Sequence, residues 1–128
     1  MIEIIKASAG SGKTFTLAKK YIKLLLATKD RYAYRHILAV TFTNKATEEM
    51  KSRILKELHI LATLPKTSDY YEEFVPEHYP DDASLVSAAR TVLCNILHDY
   101  GAFAVSTIDR FFQQTLKAFS REIGHFAS

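Results

Sequence analysis

The chain has 128 residues, of which 48% are hydrophobic and 24% charged, so it can form one domain with its own core and disorder is excluded. Its formal net charge of +3 suits an anionic partner without demanding one. No apolar run approaches the roughly 20 residues of a membrane span, the start lacks the plan of a signal peptide, and the one cysteine excludes an internal disulfide; a cytoplasmic protein with no membrane partner is expected.

Ile2 to Lys6 is short, apolar and β-branched, the pattern of a buried parallel strand. Directly after it comes Ala7-Ser8-Ala9-Gly10-Ser11-Gly12-Lys13-Thr14, a P-loop or Walker A pattern with Ala in place of the leading Gly. A polyphosphate is wrapped only by backbone that turns sharply and points successive N–H groups inward, which Gly10, Ser11 and Gly12 permit. Lys13 then reaches the β- and γ-phosphates, the Thr14 hydroxyl ligates Mg²⁺, and the following helix start adds unpaired amides and a positive dipole end. The nucleotide-contacting candidates are Ala9, Gly10, Ser11, Gly12, Lys13, Thr14 and Phe15, with ATP and Mg²⁺ as the cofactors.

A helix is expected from Lys13 to about Thr28, with Phe15, Ala18, Tyr21, Ile22 and Leu25 on a wide apolar face. Its polar stripe, Thr16, Lys19, Lys20 and Lys23, reads as a solvated face or as a nucleic-acid patch. Lys29 to Arg35 is a polar and aromatic surface crossing, and His36 to Phe42 is a second buried strand. Asn44 then caps a helix whose inner face is Ala46, Met50, Ile54, Leu58 and Leu61 and which ends by Pro65. Pro65, Pro76 and Pro80, with the acidic aromatic run Tyr70 to Phe74, break every periodicity, so Lys66 to Asp82 is expected to be a surface excursion. A third helix runs from about Ala83 to Tyr100, capped by Asp81 or Asp82 and stopped by Gly101; Cys94 is expected to be buried in it. Ala102 to Ser106 is a short third strand. The last helix begins near Thr107 or Asp109 and is expected to turn Ile108, Phe111, Phe112, Thr115, Leu116 and Phe119 toward the core.

Ligands of open α/β sheets bind at the carboxyl ends of strands. At the end of the second strand, Phe42 is placed to stack on a base, and Thr41, Thr43, Asn44 and the next helix's amides to hold phosphates, as in sequence-independent grip of a single strand. The alternative is that Asn44 is only a cap and Phe42 only core. Ser106-Thr107-Ile108-Asp109-Arg110 ends the third strand similarly, although a cap and a first-turn acid explain most of it.

Taken together, Ala7 to Leu17, Ile37 to Ile54 (ILAVTFTNKATEEMKSRI) and Val105 to Leu116 (VSTIDRFFQQTL) resemble motif I, motif Ia and the next DNA-contacting motif of the UvrD/Rep-type superfamily 1 DNA helicases. The opening IIKASAGSGKTFTLA is more similar to the RecB/AddA branch, the helicase subunits of helicase-nuclease complexes that process double-strand breaks. The resemblance covers nearly the whole chain and implies an α/β P-loop NTPase fold of the RecA-like, three-layer type with a parallel sheet. It implies that Lys13 and Thr14 bind ATP and Mg²⁺, that Thr41, Phe42, Thr43, Asn44 and Lys45 contact single-stranded DNA, and that Thr107 touches the DNA backbone. Duplex DNA ends and a partner helicase-nuclease subunit are the further partners, and repair and recombination, with exonuclease action, the setting.

Three departures accompany the resemblance. Relatives often carry a Gln-containing, adenine-reading segment before motif I, whereas six residues precede Ala7. Asp109 stands where relatives commonly have His, which makes a phosphate contact by that side chain unexpected. No apolar strand here ends in the paired acids that hydrolysis requires, nor are there arginines from a second RecA-like domain. Residues 1–128 are therefore expected to be the N-terminal part of the ATP-binding domain of a larger helicase, binding ATP and DNA without hydrolysing ATP alone. A small P-loop kinase, or a non-catalytic module in which the loop is vestigial, remain the other classes.

Overall fold

The computed structural model describes the backbone of residues 3–7 and 11–127 and the side chains of residues 16–124. Strand β1 (Glu3–Ala7) is followed by helix α1 (Ser11–Ala27), and β2 (Ile37–Thr41) by α2 (Asn44–Thr63). A one-turn helix α3 (Tyr71–Phe74) and the long α4 (Asp82–His98) lead to β3 (Val105–Thr107) and α5 (Ile108–Ala127). The chain is thus a mixed α/β unit built on a parallel sheet of order β1-β2-β3. The register places Ala7 beside Thr41 and Thr41 beside Thr107, so the segments that follow all three strands leave from one edge.

Helix α2 forms because Ala46, Met50, Ile54, Leu58 and Leu61 recur at helical spacing, and all five are buried to 1% exposure or less. That stripe packs against both α1 and α4. From α1 come Ala18, Tyr21, Ile22 and Leu25, and from α4 Leu85, Ala89, Val92 and Ile96, all in the same core cluster. Leu64 ends α2 just before Pro65, which lacks the N–H a further turn would use. At the other end the cap is Thr43, not Asn44: Thr43 is extended (φ −135°, ψ 156°) and its hydroxyl accepts from the Ala46 amide at 3.0 Å, while Asn44 already has its place in the helix. Asp81 caps α4 in the same way, accepting from the Ser84 amide at 2.8 Å. These bonds to Ser84 hold its carboxyl below the usual range.

Four further expectations are overturned. The stretch from Lys66 to Asp82 is not a surface excursion, because Tyr70, Phe74 and Tyr79 enter the core and Ser68 is buried beside them. The Tyr79 hydroxyl donates to the Leu26 carbonyl at 2.7 Å, and Glu73 pairs with Lys19 and Lys23 at 2.7 and 3.1 Å, so the stretch is fastened along α1. The prolines broke the periodicity without removing the apolar content. Tyr34 of the 29–35 crossing is likewise buried, and its hydroxyl donates to Asp99, which Arg35 also binds at 2.8 Å.

Cys94 is exposed, because the buried stripe of α4 runs through Leu85, Ala89, Val92 and Ile96 and leaves residue 94 on the outer side. Likewise the apolar side of α5 does not reach the core. Phe112 and Phe119 are each 62% exposed, and Ile108, Phe111, Leu116 and Ile123 are exposed as well. The helix packs chiefly where it leaves β3 and β2, and its later turns extend past that contact.

Among the described residues one acid is buried in this core. Glu57 of α2 is 4% exposed, accepts from the Ser68 hydroxyl at 3.4 Å, and lies 3.9 Å from Arg53. Burial, opposed by Ser68 and Arg53, pushes its carboxyl above the usual range. Because the folded value is the higher one, the protonated form is favoured by folding, and stability falls as pH rises through that value. Glu57→Gln should therefore be more stable than the parent chain at neutral pH. The difference should close on acidification toward about pH 4, where the unfolded acid is also protonated. Denaturant titrations across this range check it, and a difference independent of pH would overturn it. Phe74→Ala should cost about 3–5 kcal/mol; a cost within ~0.5 kcal/mol, typical of surface changes, would return the 66–82 stretch to the surface.

Candidate functional site

The end of β2 and the start of α2 place Phe42, Thr43, Asn44 and Lys45 on an exposed corner, and Phe42 itself is 62% exposed. A large ring at a turn, open to solvent and ahead of a helix, is not explained by packing. Across from it stand the end of β3 and the first turns of α5. Phe42, Thr43 and Asn44 on one side and Thr107, Asp109, Arg110 and Gln113 on the other enclose an open cleft of about 530 Å³.

Both walls of the cleft are helix starts. Thr43 caps α2, and on the other wall the Thr107 hydroxyl accepts from the Arg110 amide at 3.2 Å. In each case the oxygen is engaged as acceptor and the hydroxyl hydrogen can still be donated outward. The two helix dipoles place partial positive charge at the same cleft, and Arg110 adds a full one. Asp109 opposes it, which favours a ligand that brings its anionic groups to the α2 side and to Arg110. Arg110 also borders a second recess of about 380 Å³, together with Lys51, Tyr100, Ser106 and Gln114. There the Lys51 ammonium lies 5.1 Å from the centre of the Tyr100 ring.

Thr41 is placed differently from its neighbours. It is 1% exposed, and its hydroxyl is bonded to that of Thr47 and lies 3.2 Å from the Thr43 carbonyl and 3.4 Å from that of Ser106. The side chain is a tie within the protein and does not face the cleft. Phe42, Thr43, Asn44 and Thr107 are therefore brought together, Lys45 is exposed nearby on α2, and Thr41 lies beneath. The sequence points to Arg110 only as part of the Ser106 to Arg110 stretch and does not point to Gln113; their spacing of three and six from Thr107 on a helix is the available signal. Two of the lysines in the polar stripe of α1, Lys19 and Lys23, pair with Glu73, and they hold its carboxyl below the usual range.

Of the nucleotide candidates, Ala9 and Gly10 lie outside the described residues. Ser11, Gly12, Lys13, Thr14 and Phe15 form the first turn and more of α1, and their side chains also lie outside the description. A strand that ends at Ala7 and a helix that begins at Ser11 leave three residues between them. Among the described residues no cluster of three His, Cys, Asp or Glu side chains is arranged to hold a metal, and no helix is long and apolar enough to cross a membrane.

A family model of the UvrD/REP helicase N-terminal domain matches residues 2–128, and the chain belongs to that family. The RecBCD enzyme subunit RecB of Buchnera aphidicola subsp. Acyrthosiphon pisum is 34% identical over 125 residues, covering 91% of this chain and 10% of that protein. RecB of Borreliella burgdorferi is 37% identical over 120 residues, covering 94% and 10%. The ATP-dependent DNA helicase Rep of Buchnera aphidicola subsp. Schizaphis graminum is 47% identical over 58 residues, covering 45% and 8%. The chain thus spans about a tenth of the length of the curated relatives it matches. No solved structure matches it.

Proposed function

We propose that this chain is the N-terminal part of the first RecA-like domain of an ATP-dependent DNA helicase, of the kind found as a subunit of helicase-nuclease complexes acting at duplex ends in repair and recombination. The observation that carries this is the exposed Phe42 between two Thr-capped helix starts. A single strand offers what that cleft can hold: a base with a π-face for the ring, and phosphates for amides, hydroxyls and Arg110. Thr43, Asn44, Lys45 and Thr107 serve as backbone contacts, with Thr41 setting the loop from below. The grip in this reading is sequence-independent, resting on stacking and phosphate contacts.

For the nucleotide, the donor set fits Mg²⁺·ATP: glycine amides at a strand-to-helix turn, one ammonium from Lys13 and one hydroxyl from Thr14. The bound nucleotide would supply the phosphoryl group and the metal its charge neutralisation. This chain's residues bind and orient it at the carboxyl edge of the parallel sheet, within a P-loop fold of three layers. Hydrolysis needs acids and arginines from elsewhere in a larger protein, so the chain binds and does not turn over.

Two measurements test the reading. Mg²⁺·ATP at about 100 times its Kd should stabilise the chain by about 2.7 kcal/mol in a thermal melt, and Lys13→Ala should abolish that gain; an equal gain in both would sink the nucleotide assignment. Phe42→Ala should weaken binding of a fluorescein-labelled oligo-dT by the ~1–3 kcal/mol of one lost stack. Unchanged anisotropy titrations in this variant would remove Phe42 from the DNA site.

A further inference from the structure

We propose that Thr47 is a positioning residue for the cleft: its hydroxyl, held inside α2, fixes that of Thr41 and so sets the distance between the Phe42-Thr43 corner and the end of β3. This rests on the reading of the cleft as a single-strand site. Thr47 lies on the inner side of α2 and is 6% exposed, so it cannot itself touch a bound strand. Its hydroxyl bonds that of Thr41 and lies 3.2 Å from the Thr43 carbonyl. Thr41 in turn approaches the carbonyls of Thr43 and Ser106, at 3.2 and 3.4 Å.

The count of hydrogens explains why both hydroxyls are needed. Two hydroxyl groups bring two hydrogens, while the Thr43 and Ser106 carbonyls and the two hydroxyl oxygens are all available as acceptors. If Thr47 donates to Thr41, the one hydrogen of Thr41 is left for the Ser106 carbonyl, and α2 is joined to β3 through the Thr41 oxygen. If instead Thr47 donates to the Thr43 carbonyl, Thr41 donates to Thr47, and the tie runs from β2 through α2 to the corner. Remove the Thr47 hydroxyl and Thr41 loses its partner on α2 in either assignment, so its hydroxyl is no longer held in one orientation between the two walls. A valine keeps the β-branched shape but sets a methyl against the Thr41 hydroxyl, so alanine, which removes the hydroxyl without adding a contact, is its companion variant.

Phe42 and Thr43 are on one side of this tie and Thr107 and Arg110 on the other. A strand that stacks on Phe42 while its phosphates reach both walls requires both walls at one spacing, so loosening the tie is felt in affinity although no contact to the ligand is removed.

The test compares the parent chain, Thr47→Val and Thr47→Ser for binding to labelled oligo-dT, at a temperature well below the melting transition of each. Thr47→Val should weaken binding roughly fivefold, the effect of one modest hydrogen bond, and Thr47→Ser, which restores the hydroxyl, should bind within about twofold of the parent. If valine prevents folding, Thr47→Ala replaces it, since a smaller side chain cannot overpack the site. Equal affinity of the hydroxyl-free variant and the parent overturns the proposal, as does a serine variant as weak as the hydroxyl-free one. Failure of the parent chain itself to bind oligo-dT overturns the single-strand reading, and this inference with it. A loss of melting temperature without a loss of affinity shows that the bond serves stability alone and also overturns it.

Discussion

Helix α2 is held on two sides, by α1 and by α4, through Met50, Ile54, Leu58 and Leu61. Each of these side chains contributes roughly 1.5–3 kcal/mol by leaving water, so α2 cannot slide or tilt without uncovering several at once. Its first turn is therefore a fixed point at the edge of the sheet. The cap at Thr43, the exposed ring of Phe42 and the tie from Thr41 to β3 all take their positions from it. A loop that binds ligands gains from such support, because the ordering has been done before the ligand arrives.

Charge is used differently in different parts of the molecule. The net positive balance suggests a general attraction for anions, yet several cations are spent internally. Lys19 and Lys23 share Glu73, and Arg35 is bound to Asp99, whose carboxyl Arg35 and Tyr34 keep below the usual range. What remains at the cleft is local: two helix starts and Arg110, partly offset by Asp109. Such an arrangement selects where an anion sits more than how strongly the whole surface draws it.

Much of this was legible in the residues. The helical spacing of α2 named its buried face correctly, and the apolar runs named β1 and β2 to within a residue, while β3 begins at Val105, three residues after its expected start at Ala102. Phe42 stood out because a large aromatic ended a strand where a helix began. The errors share a cause, which is that periodicity states which residues lie on one side of an element and not what that side meets. Thus α5 has a clear apolar side that does not reach the core, and the 66–82 stretch has no period but delivers Tyr70 and Phe74 to the core. The cap was misplaced by one because Thr43 and Asn44 are both good caps and only backbone angles decide between them. Thr47 gave no signal at all, since a threonine inside a helix looks the same whether its hydroxyl is idle or bonded across to a strand.

Helix α5 has a consequence of its own. A 20-residue helix in water is near the limit at which its own backbone bonds keep it formed, and here, among the described residues, the main tertiary support comes from β2 and β3. Its tertiary support is then graded along its length: the first turns lie against the sheet, and the turns toward Arg121 have exposed side chains. One end of the helix is anchored and the other is held by its own backbone bonds, so the wall of the cleft that α5 provides is firmest at the few residues the cleft uses.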